Sequence, residues 1–168
     1  DGHRTIAGLE DEFDVTIITQ NGDDFHERAG STKVIHLHGE ALKNASTLHP
    51  YESYEIDRNN PDIHIGDKAP DGSQIRPYVI YFNEDIEQRL WKASVEATKQ
   101  ADVFIVVGST MLVYPAAELL KMIPPKCELY IIDPSEVTLS EGCTKEYIHI
   151  QSGVSRGLEQ LKATLKLK

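Results

Sequence analysis

Residues 16–40 read TIITQNGDDFHERAGSTKVIHLHGE, and this stretch carries two polar clusters, each closing an apolar run. Gln20, Asn21, Asp23, Asp24 and His26 follow Val15–Ile18, while His36 and His38 interleave with Val34, Ile35 and Leu37. β-Branched apolar runs that end in such side chains read as buried strands delivering chemistry at their carboxyl ends. Between them, Asn21-Gly22-Asp23-Asp24 is turn chemistry. Phe25–Ala29 reads as a short helical turn, with Gly30 as its stop.

Outward from this stretch the alternation continues. Upstream, Ile6, Leu9 and Phe13 recur at near-helical spacing, as the tail of a helix leading into the first strand. Downstream, residues 41–77 change character. Pro50, Asn59-Asn60-Pro61, Gly66, Ala69-Pro70-Asp71-Gly72 and Arg76-Pro77 punctuate them. This segment reads as a small lobe or long loop with one short hairpin. Tyr78–Phe82 returns as a strand, and Ile86–Gln100 as a helix with Ile86, Leu90, Trp91, Val95 and Thr98 inward. Val103–Val107 is a continuous apolar strand. Pro115 opens a helix through Met122 that Pro124-Pro125 breaks. Leu129–Ile132 and Tyr147–Ile150 are further strands, and Val154, Leu158, Leu161 and Leu165 line a final helix. The pattern predicts one α/β domain over 1–168: a doubly wound, Rossmann-like parallel sheet with a small lobe inserted at about 41–77.

The chain has 168 residues and a formal net charge of -10. That charge argues against nucleic acid as a partner, since phosphate repels an acidic surface. No apolar run approaches the roughly 20 residues of a membrane-spanning helix, so no membrane partner is expected. No signal-peptide pattern is present. Cys127 and Cys143 sit in no metal or redox spacing, and read as reduced thiols of a cytoplasmic protein.

Taken alone, the polar clusters leave several readings open. His36 and His38 alternate by two and share a strand face. With His26 and Asp23 they suit a zinc or iron site, a general base with a core-bonded partner, or two structural histidines. Gly108-Ser109-Thr110 is a small polar turn after a buried strand, suited to ligand phosphate or ribose, or simply a tight turn. Asp133 suits ribose hydroxyls or a cap. No GxGxxG occurs.

Four ordered motifs narrow these readings. Thr19-Gln20-Asn21-Gly22-Asp23-Asp24-Phe25-His26-Glu27-Arg28-Ala29-Gly30, followed by Val34-Ile35-His36-Leu37-His38-Gly39, resembles the sirtuins, the NAD-dependent protein-lysine deacylases, in which TQN-(I/V)-D-x-L-H-x-x-A-G precedes a strand ending in His-Gly. Arg76-Pro77-Tyr78-Val79-Ile80-Tyr81-Phe82-Asn83-Glu84 resembles R-P-x-(V/I)-V-W-F-G-E. Gly108 through Ala117 resembles G-T-S-L-x-V-x-P-A, and Asp133-Pro134-Ser135 an acid-Pro-Ser after a later strand. The similarity spans nearly the whole chain, and its zinc-free bacterial members are the nearest in character.

The resemblance implies NAD as a cosubstrate, consumed as an acyl group passes from protein lysine to ADP-ribose. It implies His38 as general base on the nicotinamide ribose, and Asn21 both catalytic and, with Gly22 and Asp23, lining the nicotinamide pocket. Gln20 would hydrogen-bond the same ribose, and Gly108, Ser109, Thr110 and Asp133 the adenosine half. Phe82, Asn83, Glu84, Val113 and Tyr114 would clamp an acyl-lysine protein or peptide as an added strand. Two other functions share this pocket: an inactive NAD- or ADP-ribose-binding module, and an NAD hydrolase or ADP-ribosyltransferase.

Several positions depart from the pattern. The family's opening strand and Gly-rich G-A-G-x-S loop have no counterpart, so that unit is expected from a longer chain, from a separate N-terminal segment or other chain, or as lost. Gly22 replaces a branched apolar residue, Asn83 replaces a Gly, and Ile131 stands where many members place an Asn. The four cysteines of the usual zinc ribbon are missing from 41–77, so no structural zinc is expected. The adenine contact falls unassigned within Gln151–Val154.

Overall fold

A computed structural model describes residues 1–57, 59–109, 116–137, 139 and 144–166. Helix α1 (Gly2–Ala7) leads to β1 (Ile17–Thr19), α2 (Phe25–Ala29) and β2 (Val34–His36). Three strands follow, β3 (Gly39–Ser46), β4 (Tyr54–Glu55) and β5 (Ile75–Val79), then α3 (Gln88–Gln100) and β6 (Val103–Val107). A 3-10 segment (Ala116–Met122), β7 (Glu128–Ile132), β8 (Ile148–Ile150) and α4 (Val154–Lys166) complete the order.

The sheet of β6, β7 and β8 is parallel, and its alternation explains both of its covers. Side chains along a strand point to opposite faces. Tyr130 and Ile132 of β7 pack with Leu158 and Leu161 of α4, joined by Val103, Ile105, Val107 and Ile150. Leu129 and Ile131 face the other way, onto Val106, Leu120, Ile123 and Cys127. A strand buried on both faces is the physical content of the doubly wound pattern. β1 and β2 form a second parallel pair, with Ile17 opposite Val34 and Thr19 opposite His36. Among the described residues no ladder joins this pair to β6–β8.

The punctuated segment carries more regular structure than a loop with one hairpin. It holds an antiparallel sheet in the order β4-β3-β5, and β3 starts at Gly39, directly after His38. Gly39 has φ 83°, and a Cβ there would lie 2.3 Å from the Tyr78 carbonyl oxygen. Only glycine allows this turn and this approach. The returning strand ends at Val79 rather than Phe82, because pairing runs from Gly39 opposite Val79 to Ser46 opposite Ile75. Pro77 is tolerated because β5 is an edge strand.

Helix α3 begins two residues later than the pattern predicts. Its most buried residues are Ser94 and Thr98, whose hydroxyls donate to Leu90 O at 2.9 Å and Ser94 O at 2.8 Å. Small residues bring this face close, and back-bonding satisfies their oxygens. Ala116–Met122 is 3-10 rather than α-helical. It ends just before Pro124-Pro125, and a residue ahead of proline is kept out of helical backbone. Phe13, expected on a helical face, lies past α1 and is 40% exposed.

Helix α4 depends on one small residue. A Cβ at Gly157 would meet the Cγ2 methyl of Ile132 at 2.3 Å, so the helix rests directly on β7. Lys162 reaches from the same helix to the Gly8 carbonyl at 3.3 Å, tying down α1. Gly157→Ala is expected to lower stability by about 1–3 kcal/mol through overpacking, although alanine is the better helix former. A reduced urea midpoint at unchanged m-value checks this, and an unchanged or higher midpoint refutes it.

Candidate functional site

The residues that follow β1 leave the ladder, yet their carbonyls are taken one after another. Thr19 O accepts from Leu37 N at 2.8 Å, and Gly22 O from Ala41 N at 2.7 Å. Between them, Gln20 O accepts from the His38 ring, and Asn21 O lies 3.0 Å from His36 Nδ1. Asn21 N donates to Thr19 Oγ1 at 3.1 Å. The backbone of 19–22 is therefore stapled to 36–41. A carbonyl left unpaired in such a place costs about 1–3 kcal/mol, so the staple holds as a unit. Among the described residues the side-chain amides of Gln20 and Asn21 make no hydrogen bond, which leaves them available to a ligand.

The two histidines expected on one face reach adjacent carbonyls and differ in environment. His38 is half-buried, and burial pulls its pKa below the ordinary imidazole value, against the Gln20 carbonyl. One ring nitrogen donates to Gln20, so the other presents a lone pair at neutral pH. His36 is buried, with Nε2 2.7 Å from Glu27 Oε1. His26 is buried on α2, its ring edge-on to His3 with centroids 4.6 Å apart. Burial and the neighbouring His3 lower its pKa. Among the described residues no group of three or more His, Cys, Asp or Glu side chains is arranged to hold a metal ion.

Asp23 and Gly22 shape the turn. Asp23 Oδ1 accepts from Phe25 N at 3.1 Å and so starts α2, while Gly30 ends it with φ 108°. Gly22 reads in sequence as loosening the pocket, but a Cβ there would sit 3.2 Å from Ala41 N. The glycine permits the close pairing of Gly22 with Ala41. A groove of about 480 Å³ lies alongside, lined by Gly22, Asp23, Asp24, Phe25, Arg28, Ala41 and Leu42. A larger cavity of about 690 Å³ lies at the amino ends of β7 and β8 and contains none of the candidate residues.

The second cluster sits at the carboxyl ends of β6 and β7. Gly108 takes φ 59° and its N–H donates to Ile132 O at 3.2 Å. Ser109 follows it; Thr110, Val113 and Tyr114 lie outside the described residues. Asp133 Oδ1 accepts from Ser135 N at 2.8 Å, a local turn cap, and His149 Nε2 lies 3.0 Å from its carbonyl.

Phe82-Asn83-Glu84 forms an exposed turn after β5. Asn83 adopts φ 69°, which asparagine tolerates better than most residues. Glu84 accepts two bonds from Arg76, at 2.6 and 2.7 Å, and one from Tyr81 N at 2.9 Å. Arg76 also stacks over Tyr81, 4.8 Å from the ring centroid. The Glu84 carboxylate thus fixes the turn, and Phe82 stands 99% exposed on it. Sequence reasoning assigned no role to Arg76 or Glu27, although both stand inside the quoted motifs. What it lacked was the contact partner across the turn.

A sequence profile described as Sir2 family matches residues 1–115. The NAD-dependent protein deacylase of Bacteroides thetaiotaomicron is 42% identical over 98% of this chain and 70% of that protein. A Sir2 homologue solved with NAD superposes with TM-score 0.81 at 31% identity, over 98% of this chain and 64% of that one. A triple mutant of Sir2 homologues in complex with 2'-O-acetyl ADP ribose gives TM-score 0.80 at 30% identity, over 98% and 66%. The chain thus spans somewhat under two thirds of the solved homologues' length and 70% of the curated relative's. With the ordered motifs, the Rossmann-like α/β fold and the stapled polar segment in one place, the chain belongs to the Sir2 family of NAD-dependent protein deacylases.

Proposed function

We propose that the protein to which this chain belongs transfers an acyl group from a protein lysine to ADP-ribose, with His38 as the general base. The observation that carries this reading is the environment of His38. It is half-buried, held by the Gln20 carbonyl, and kept neutral by a lowered pKa, which is the state a base requires. NAD, when bound, supplies the ADP-ribose acceptor and releases nicotinamide. The residues present fit it. Asn21 and Gln20 offer unpaired amides on a fixed backbone, suited to a carboxamide and a ribose hydroxyl. His38 accepts the hydroxyl proton at its free ring nitrogen and returns it to solvent. Gly108, Ser109, Thr110 and Asp133 stand for the adenosine half, at the strand ends where an α/β sheet receives ligands. Phe82, Asn83 and Glu84, with Val113 and Tyr114, serve the acyl-lysine peptide. An exposed turn locked by Arg76 and Glu84 supports this, because peptide addition needs a rigid edge.

The same reading extends to the lobe and the setting. The lobe is zinc-free: residues 41–77 hold no cysteine, and polar side chains close its loops instead. Asp71 accepts from Ser46 Oγ at 2.5 Å and from Ser73 N and Oγ at 2.8 and 2.7 Å. These bonds hold its carboxyl down to about 2. Gln74 bonds Gly66 N at 2.6 Å and His64 O at 2.9 Å. The buried Cys127 thiol, pushed up in pKa by burial, suits a reducing cytoplasm. Acyl-lysine protein is the partner; nucleic acid and membrane are not.

Product mass spectrometry on the full-length protein with NAD and an acetyl-lysine peptide tests the reaction. Nicotinamide and O-acetyl-ADP-ribose are expected, falling by about 10²–10⁴-fold in His38→Ala. Free ADP-ribose without the acyl ester assigns an NAD hydrolase instead, and an active His38→Ala variant refutes the base. Elemental analysis is expected to find no stoichiometric zinc, and finding it overturns the zinc-free lobe.

A further inference from the structure

His36 stands apart from the mechanism above, although it is buried beside it. We propose that His36 and Glu27 form a positioning pair that holds the Asn21 carbonyl, and with it the Gln20–Asp23 segment, only while the pair carries a proton. For the cosubstrate it positions, this inference rests on the NAD reading.

Donors and acceptors do not match in the neutral pair. His36 Nδ1 lies 3.0 Å from Asn21 O, and Nε2 lies 2.7 Å from Glu27 Oε1. A backbone carbonyl and an ionised carboxylate are both acceptors only, and a neutral imidazole has one N–H. Both contacts are hydrogen bonds only if the pair holds one further proton, as imidazolium or on Glu27. Without it, one oxygen faces a nitrogen lone pair, and the ring gives up either the helix α2 or the segment. His36 is 7% exposed, so water cannot readily replace the lost bond.

The surroundings favour the charged pair. Burial opposes a charge on His36, but the Glu27 carboxylate, the Asn21 carbonyl and the more distant Glu40 outweigh it and hold its pKa above the ordinary value. Burial also works against the Glu27 carboxylate, yet its bonds to His36 keep it below the usual range. His26 on α2 is the other titratable neighbour, with His3 behind it, and its own lowered pKa keeps it neutral. Helix α3, which packs on β2, buries only the hydroxyls of Ser94 and Thr98. Two residues along the chain, His38 is shifted the other way. One strand end therefore presents two histidines shifted in opposite directions, His36 towards the cation that positions and His38 towards the neutral ring that acts as base.

The signs follow. His36 loses its proton as pH rises through its raised pKa, so both bonds are made below that point and one of them is lost above it. His38 gains a proton as pH falls through its lowered pKa, so base function is lost there. The profile of kcat/KM for NAD should be a bell, with an acid limb from His38 and an alkaline limb from the pair. Glu27→Gln removes the need for the proton, because its amide donates to Nε2 of a neutral ring whose Nδ1–H still serves Asn21. Glu27→Ala and His36→Ala leave the carbonyl unheld.

Nitrogen-15 NMR of the imidazoles in this chain reads the pair directly. At pH 7 both nitrogens of His36 should be protonated in the wild type, and one in Glu27→Gln; a neutral wild-type His36 beside an ionised Glu27, read from the carboxyl carbon-13 shift, overturns the proposal. In the full-length enzyme, Glu27→Ala and His36→Ala should lower kcat/KM for NAD by about 10- to 100-fold, chiefly through KM. Glu27→Gln should instead keep activity at neutral pH and lose the alkaline limb. Coincident wild-type and Glu27→Gln profiles overturn the proposal and leave the pair as plain scaffold. If the wild type shows His36 as imidazolium but makes no O-acyl-ADP-ribose, the deacylase reading fails separately. The pH dependence of NAD affinity then decides for or against the pair, and equal dependence in wild type and Glu27→Gln overturns it.

Discussion

The site depends on a run of four carbonyls, from Thr19 to Gly22, each held by a donor from residues 36–41. Single bonds of this kind contribute about 1 kcal/mol net. Their force lies in succession. With every carbonyl occupied, the segment has no alternative conformation that keeps its partners, so its amide side chains are aimed by the backbone and not by contacts of their own. A polar loop is made rigid while its side-chain amides stay free. Such preorganisation is what a cosubstrate site needs, since ordering it at the moment of binding would weaken the complex.

The rest of the fold supplies the donors and keeps them in register. β1 and β2 pair in parallel, which sets Thr19 opposite His36 and brings His38 level with Gln20. α2 fills the crossover and carries Glu27 to the far side of the His36 ring. Gly39 then turns the chain into the antiparallel lobe within one residue of His38, and Ile80 N closes the same corner on His38 O at 2.9 Å. The parallel sheet of β6 to β8 follows separate logic. There, apolar alternation under α4 and the 3-10 segment sets the packing, and the candidate residues Gly108 and Asp133 follow the carboxyl ends of β6 and β7.

Strand and helix positions in the two parallel units were legible in the sequence because their signal is local. Val103–Val107 is apolar throughout and β-branched at all positions but Phe104, and Gly30 ends α2 where a left-handed residue is required. The lobe was less legible. β3 carries Glu40, Lys43 and Asn44, with a register shift between Glu40 and Asn44 that breaks period-2 alternation. The end of β5 was misplaced because Ile80-Tyr81-Phe82 continues an apolar run, whereas the tertiary partner, Gly39, stops the pairing at Val79. In the candidate site, the motifs singled out His38 and Asn21, but not that His36 has its own acceptor pair. Glu27 and His36 lie nine positions apart, and only the crossover brings them together.

The placement of Gly39 also governs which parts of the gene tolerate change in length. Both ends of the antiparallel sheet are fixed, Gly39 against Val79 and Ser46 against Ile75, so the chain between Ser46 and Ile75 leaves and re-enters at set points. Loop closure depends only logarithmically on length, so insertions or deletions there alter little besides the loop itself, provided they spare β4 and the contacts of Asp71 and Gln74. A single-residue indel between His36 and Ala41 would instead shift every donor by one carbonyl and reverse which side chains face the turn. Family members are therefore expected to diverge freely in the lobe's outer loops while keeping a constant count across the six residues that carry the staple.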